Sequence, residues 1–491
     1  MQTANSKKLL SRPLDRIAIV FAIVLSVLIG ILLWSGDRTL PQVRDFSWQD
    51  RQIAADELSF MLTFNRPMDR QSVEQNLKIE PALPGKFSWA GRRMAYTLNA
   101  PAVYGKSYKV ELKQAFDRFA NEISNHRPIQ PFVGNFTTPD PAFAYIGAKG
   151  DESGRLVVYD LLQKQAKVLT PPDLVVSEFR IYPNRDRILF AATPKTTDIS
   201  NPLDQKLYTV SIPDAKTKNQ SPEIKLILDS GEYQNFKFDL SADGQLIVVQ
   251  RLSRLVPGQY GLWVIKADGA PKPLENQPGG DFLITPDSQS IAILQGEGVA
   301  ILPLEPQAQP LDFLPKFGNI LSFSRDGSQG AMVKFNKDDY SRSLFRVTNQ
   351  GVQQQLLKIT GSIISAKFDP QKQVLYCLLT DAKQTDRSYQ EEPYLASIEI
   401  ETAKLTRLVE LPGQRNIQID LANDGSALLF DRFEPDPDTA ASTNQNSELD
   451  RPSRTQKKGT PHLELLSLTD SQTSRQAEPL NLYGSHPRWL P

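Results

Sequence analysis

Asp239, Asp369 and Asp420 each close a short run of alternating apolar residues, at equivalent or nearly equivalent points of three predicted strand ends. Carboxylates so arranged suit one kind of chemistry. Two of them facing one cleft suffice for acid–base cleavage of a glycosidic bond. The competing reading is structural: an aspartate at a recurring strand end caps the amides of the following turn. Recurrence favours the second reading. Other chemistries lack their residues. A serine nucleophile needs Gly-x-Ser-x-Gly with a following Asp and His; Asp326-Gly-Ser-Gln-Gly330 has the wrong spacing and reads as a turn. No Cys-x-x-Cys, His-Glu-x-x-His, glycine-rich phosphate loop or dinucleotide fingerprint occurs. The three histidines, His126, His462 and His486, are far apart in sequence, and Cys377 lies inside the apolar run 374–379, so it reads as core filler. No catalytic, cofactor-binding or metal-binding residue is assigned, and the chain is expected not to be an enzyme.

Composition narrows the field further. The 491 residues exceed one domain, and 40% hydrophobic content is enough for real cores. Lys and Arg balance Asp and Glu at 56 each, which argues against nucleic acid as the main partner. With one cysteine there is no intrachain disulfide.

The elements that must position these aspartates repeat. Phe236-Lys-Phe238-Asp239-Leu-Ser-Ala-Asp243-Gly244 followed by Gln-Leu-Ile-Val-Val249 reads as strand, Asp-Gly turn and strand, the turn being expected as type I′. The phrase returns around positions 185, 243, 287, 326, 371 and 424, at spacings of 58, 44, 39, 45 and 53. Repeats of this length mean a solenoid or a propeller. The intervals hold alternating strands, such as those near 261–265, 344–347 and 395–400, so each amounts to a four-stranded propeller blade. Residues 143–170 supply three strands without an opening one, and 486–491 resemble an opening strand without its turn. Pairing these fragments closes a ring of seven blades over 141–491. Six is the alternative, because the stretch 291–311 is short and weakly patterned. In such a ring Asp239, Asp369 and Asp420 would line the central channel or cap its turns.

The repeated Pro/Ala-Asp-Gly phrase resembles the TolB-type, WD-like propeller. That resemblance implies a platform outside the cytoplasm for a protein or small ligand, and transfers no contact residues. Ahead of it, residues 45–139 hold about seven short strands, among them 58–64, 77–79, 87–89, 94–98 and 108–112, and read as a small β-sandwich. The runs Phe64-Asn-Arg-Pro-Met-Asp69, Gly105-Lys-Ser-Tyr108-Lys-Val110 and Asn135-Phe-Thr-Thr-Pro139 resemble the bacterial Ig-like domain of the SbsA type, which implies a spacer. Arg66 and Asp69 read as turn residues at its edge, and Asn135-Phe-Thr137 matches a glycosylation sequon by chance.

Residues 17–34 are apolar except for Ser26 and Gly30, with Lys7, Lys8, Arg12 and Arg16 before them. This length and this charge bias predict a transmembrane signal anchor, with residues 1–16 as a cytoplasmic tail and the bulk of the chain outside. A cleaved signal peptide and a buried helix are the alternatives. Residues 434–460 are rich in Pro, Asp, Ser, Lys and Arg and read as a disordered insertion; the acidic cluster 434–438 lacks the spacing of a calcium loop. The fold expected is therefore all-β: an Ig-like sandwich, then a propeller, behind one N-terminal membrane helix. The function expected is a non-enzymatic protein of the bacterial cytoplasmic membrane, periplasmic or extracellular in bulk, binding another envelope protein or a wall polymer. The alternative is a carbohydrate-active enzyme using channel carboxylates.

Overall fold

In the computed structural model, residues 13–35, 39–118, 128–195, 204–213, 221–266, 269–274, 280–296, 298–305, 312–385, 388–435, 459–469 and 476–491 are described. His126 and most of the expected insertion, 436–458, lie outside them. The insertion is narrower than expected: the strands Ala427–Pro435 and Gly459–Ser467 run into it from both sides and pair as far as Pro435 with Gly459.

Pro13–Ser35 is one helix whose described side chains, 17–31, are all exposed. Among the described residues no helix is long and apolar enough to cross a membrane. The transmembrane anchor expected over 17–34 is therefore not supported by the described helix.

Residues 43–137 form two facing sheets. One orders Val43–Phe46, Ser59–Phe64, Arg93–Leu98 and Gly85–Ala90; the other orders Leu77–Glu80, Ser107–Leu112 and Phe132–Thr137. Alternation in the sequence sends Phe60, Leu62 and Phe64 inward from one sheet to meet Tyr108, Val110 and Phe136 of the other in a single core around Trp48. A short helix, Arg70–Asn76, was not foreseen. Asp69 starts it by accepting from the Ser72 backbone N–H at 3.0 Å, so Asp69 is an N-cap rather than a plain turn residue.

The remainder is a succession of antiparallel sheets. Units 1 to 5 are four-stranded, opening with Leu174–Ile181, Tyr233–Leu240, Phe282–Ile284, Asn319–Phe323 and Ile363–Phe368. The weakly patterned third unit does form all four strands. A seven-stranded sheet follows, in which Glu478–Trp489 belongs to two neighbours. Its first half pairs with Gly459–Ser467, completing a sixth unit that opens with Ile419–Leu421. Its second half pairs with Ala142–Gly147, Trp489 lying opposite Phe143, and so opens a closing unit made with Leu156–Asp160 and Gln165–Val168. This is the pairing of the two fragments that the sequence suggested.

The second strand of each unit is a near-continuous apolar run because both its faces are covered. In unit 1, Ile188 and Phe190 face the closing unit, while Leu189 and Ala191 face unit 2. Similar shared clusters join units 2 and 3 through Val248 and Ile291, 3 and 4 through Ala292 and Met332, 4 and 5 through Val333 and Leu375, and 5 and 6 through Leu378 and Leu428. Leu429, Leu463, Phe143 and Trp489 then join unit 6 to the closing unit.

The recurring turn differs from expectation. One residue of each copy has φ > 0, Gly244 (71°), Gly327 (69°) and Gly425 (76°), and Arg185 (58°), Ser288 (61°) and Lys372 (59°) in the other units, and its N–H bonds the carbonyl three residues back, as Gly244 does Ser241 at 2.8 Å. A type I′ turn needs two such residues at its centre, so this is a wider loop, a turn whose last residue is left-handed. The Asp before it secures the bend: Asp243 Oδ1 accepts from the Gln245 N–H at 3.0 Å, and Asp326 and Asp424 do the same for Ser328 and Ser426. Aligned on the left-handed residue, the first copy slips by one, Arg185 matching Gly244 rather than Asp243. Glycine is required where the turn meets the proline of the preceding unit. A Cβ on Gly244 would lie 3.0 Å from Pro183, and one on Gly425 2.9 Å from Pro370.

Two outcomes test this construction. Gly425→Ala should cost about 1–2 kcal/mol more than Gly351→Ala in urea melts, since Gly351 also has positive φ but nothing within 4 Å of a Cβ; equal costs would remove the role given to Pro370. Deletion of residues 484–491 should abolish cooperative melting or lower Tm by about 10 °C or more, because it strips Ala142–Gly147 of its partner and Trp489 from its core; an unchanged melt would refute the pairing.

Candidate functional site

The opening strands of successive units lie beside one another, from Tyr233–Leu240 round to Glu478–Trp489. Counting five residues back from the left-handed turn residue gives one equivalent position in each: Arg180, Asp239, Leu283, Ser322, Lys367 and Asp420. Arg488 supplies the seventh. Asp239 Oδ2 accepts from the Ile284 N–H of the next unit at 3.1 Å, and Asp420 Oδ2 accepts from the Trp489 N–H of the next unit at 2.8 Å, so residue 488 corresponds to 283.

The charged side chains among these, with Glu178, form an ion-paired belt along the opening strands. Arg180 bridges Glu178 at 2.5 Å and Asp239 at 3.1 Å; Arg488 lies 3.7 Å from Glu178, and Lys367 lies 3.6 Å from Asp420. Lys237 pairs with Asp281 one level along. The Arg180, Lys367 and Arg488 side chains keep 21%, 28% and 26% of their exposure, so water reaches the axis. Burial pulls the Lys367 ammonium below the usual lysine value; Asp420 opposes this, and Arg488 and Arg180 add to it. For Glu178 burial works upward, but Arg180, Arg488 and His486 outweigh it and hold the carboxyl below the ordinary glutamate value. Behind the belt, Asp431 is buried between the N–H groups of Gln418 (2.6 Å) and His486 (3.0 Å), and burial pushes its carboxyl upward.

The three aspartates singled out from the sequence thus separate. Asp239 and Asp420 are equivalent and face the axis. Asp369 is not: it stands two positions on, where its Oδ1 accepts from Val374 N–H at 2.7 Å. Ser241, Thr285 and Ser324 make the same turn-closing bond to Leu246, Ser290 and Gln329. The structural reading holds for Asp369, while Asp239 and Asp420 tie one unit to the next. Arg66 pairs with Asp117 at 2.9 Å inside the sandwich, away from the belt. Arg180, Lys367 and Arg488 carried no motif; only alignment on the turn, followed by reading the charge at one fixed offset, would have found them. Cys377 is buried, its thiol pushed up to about 12 by burial.

The sandwich lies against the end of the array that bears these turns. The Tyr104 N–H donates to Asp424 Oδ2 at 3.0 Å, the Arg185 guanidinium sits 5.7 Å from the Tyr104 ring centre, and Asp56 lies 3.9 Å from Arg325. These are turns of units 6, 1 and 4, so the sandwich bridges units that are not neighbours. At the opposite end an open cleft of about 460 Å³ lies between units 4 and 5, lined by Asp339, Ser341, Lys358, Gly361, Thr380 and Asp381. Asp339 and Lys358 pair there at 2.6 Å.

No family model matches the sequence, and no curated protein matches it. Solved structures do match. TolB from Acinetobacter baumannii is 12% identical with a TM-score of 0.40, over 85% of this chain and 83% of that one. Dihydro-heme d1 dehydrogenase NirN in complex with DHE is 14% identical with a TM-score of 0.43, over 71% and 74%. An oligogalacturonate lyase in complex with manganese is 12% identical with a TM-score of 0.42, over 57% and 79%. These neighbours are similar to TolB-like propellers, as the turn phrase suggested, whereas the SbsA-type resemblance of 45–139 finds no counterpart among them. At such scores they carry no argument about what this chain does.

Arg180→Met should cost about 2–3 kcal/mol, since it strands Asp239 and Glu178. It should also flatten the acid limb of the stability profile. The folded-state value of Glu178 lies below its ordinary 4.5, so its ionised form stabilises the fold above that pH, and this contribution is lost as pH falls through the folded value. Acid titration followed by circular dichroism measures both; a variant with the wild-type slope would show that Arg180 does not hold Glu178.

Proposed function

We propose that the chain is a non-enzymatic, membrane-anchored protein of the bacterial envelope, and that its sheets form a seven-bladed propeller serving as a binding platform for another envelope protein or a wall polymer. The observation that carries the binding reading is the state of the axial carboxylates. Glycoside hydrolysis needs one carboxyl poised as an acid, with its value raised, beside a second free to attack or to activate water. Here Glu178 is held down by arginines, and Asp239 and Asp420 each give an oxygen to a backbone N–H and the other to a cation. Asp431, whose value is raised, is enclosed by two backbone N–H groups. A belt whose carboxylates are engaged by cations and backbone amides is suited to holding blades and guests in place.

Support for the ring comes from the strand shared by unit 6 and the closing unit and from the clusters linking each unit to the next. Support for the anchor comes from the apolar run and basic flank of residues 7–34, and from Ile17 and Phe21, which are 67% and 69% exposed among the described residues. The sandwich lies at the turn-bearing end, leaving the end with the long hairpin Val374–Thr385 and Ser388–Glu399 free for a partner.

Cross-linking in intact envelopes followed by affinity purification of the full chain should recover one specific partner, and alkaline extraction should leave the chain in the membrane fraction. Turnover of a wall glycan by the purified full chain, lost in Asp239→Asn or Asp420→Asn, would replace this reading with the enzymatic one.

A further inference from the structure

We propose that the axis of the array is a binding site for a single oxyanion, phosphate or carboxylate, held between Arg180, Lys367 and Arg488. The inference deepens the platform reading and rests on it only for the axis admitting guests. Three features lead to it.

The first is convergence. Arg180, Lys367 and Arg488 occupy the same level of units 1, 5 and the closing unit, beside the carboxylates Asp239 and Asp420, and Glu178 adds a third carboxylate that both arginines share. The positive charges are close enough for Arg488 and Arg180 both to act on Lys367.

The second is incomplete pairing. Asp239 and Asp420 have each committed one oxygen to the backbone of the next unit. A single Glu178 oxygen, Oε1, serves both arginines, at 2.5 Å for Arg180 and 3.7 Å for Arg488. The 3.7 Å separation, like the 3.6 Å from Lys367 to Asp420, exceeds a hydrogen bond. Lys367 and Arg488 therefore have N–H directions to spare towards the axis, which water reaches.

The third is independent of the charges. At the same level in unit 4 the Ser322 hydroxyl is buried and has no hydrogen-bond partner among the described residues. A buried hydroxyl left unpaired costs about 1–3 kcal/mol, a cost that turning the Ser322 side chain towards an oxyanion would relieve. Two guanidinium groups, an ammonium and a hydroxyl match the acceptor oxygens of phosphate or carboxylate. They do not match a cation.

The test is isothermal titration of the full chain at low ionic strength with inorganic phosphate and, separately, with acetate. Binding in roughly the millimolar range or tighter is expected for at least one of them. Preference for phosphate would assign the site to phosphate-bearing guests, and preference for acetate to carboxylates. Lys367→Gln should weaken the preferred anion by about tenfold or more, whereas Asp420→Asn should tighten it, an opposite response that general loss of structure would not produce. If Lys367→Gln melts early, Arg488→Gln and Ser322→Ala take its place, each expected to weaken binding. Absence of binding by either anion, or equal affinity in the wild type and every folded cation variant, overturns the proposal. A partner recovered from envelopes in that event would leave the platform reading intact.

Discussion

The closing strand bears on everything else. Each unit between the sandwich and residue 483 can stack on its neighbours, but the first and last would each leave one apolar face and one strand edge in water. The pairing of Gly484–Trp489 with Ala142–Gly147 gives that strand a partner on its second side, and places Trp489 in a core built from Phe143, Val157, Leu429 and Leu463. It joins positions more than three hundred residues apart, so its loop-closure entropy must be met by that core and by the hydrogen bonds of the strand. Because the strand belongs to two units, any distortion of it reaches both, and the position of Arg488 on the axis depends on the same six residues.

The turns express a second constraint. In units 1, 3 and 5 they carry Pro183, Pro286 and Pro370, and in units 2, 4 and 6 the left-handed residue is Gly244, Gly327 or Gly425. Each glycine faces the proline before it, most closely at Gly244 and Gly425. Proline and glycine therefore alternate between units because the pyrrolidine ring takes the space a Cβ would need. The preceding Asp and the Ser, Thr or Asp two residues earlier satisfy the turn amides, which explains why acidic residues recur without forming a catalytic pair.

The same register sets the electrostatics of the axis. Strand ends held at one height bring residues from different units to one level, where charges of both signs meet with limited water between them. The sandwich adds an asymmetry. Tyr104 is in contact with the turn of unit 6 and lies beside that of unit 1, and Asp56 approaches unit 4, so one end of the array is engaged by the chain itself.

Much of this was legible in the residues. Period-two alternation in Leu58–Phe64 and Tyr108–Leu112, the recurrence of the Asp-Gly phrase and the unpaired fragments at 143–170 and 486–491 were enough to derive an all-β chain, a leading sandwich, four-stranded units and the pairing of its ends, because those features follow from local sterics and from burying one or both faces of a strand. The type of the turn was not legible, since an Asp-Gly pair can take the two central places of a hairpin turn or its last two, and the side-chain bonds of Asp243 and Ser241 favour the second. Nor was the helix at Arg70–Asn76, whose seven residues carry no usable period. Which aspartates share a level with Arg180, Lys367 and Arg488 was decided by tertiary structure alone: one residue of register moves a side chain to the other face of its strand, and only packing of each unit against the next determines that register.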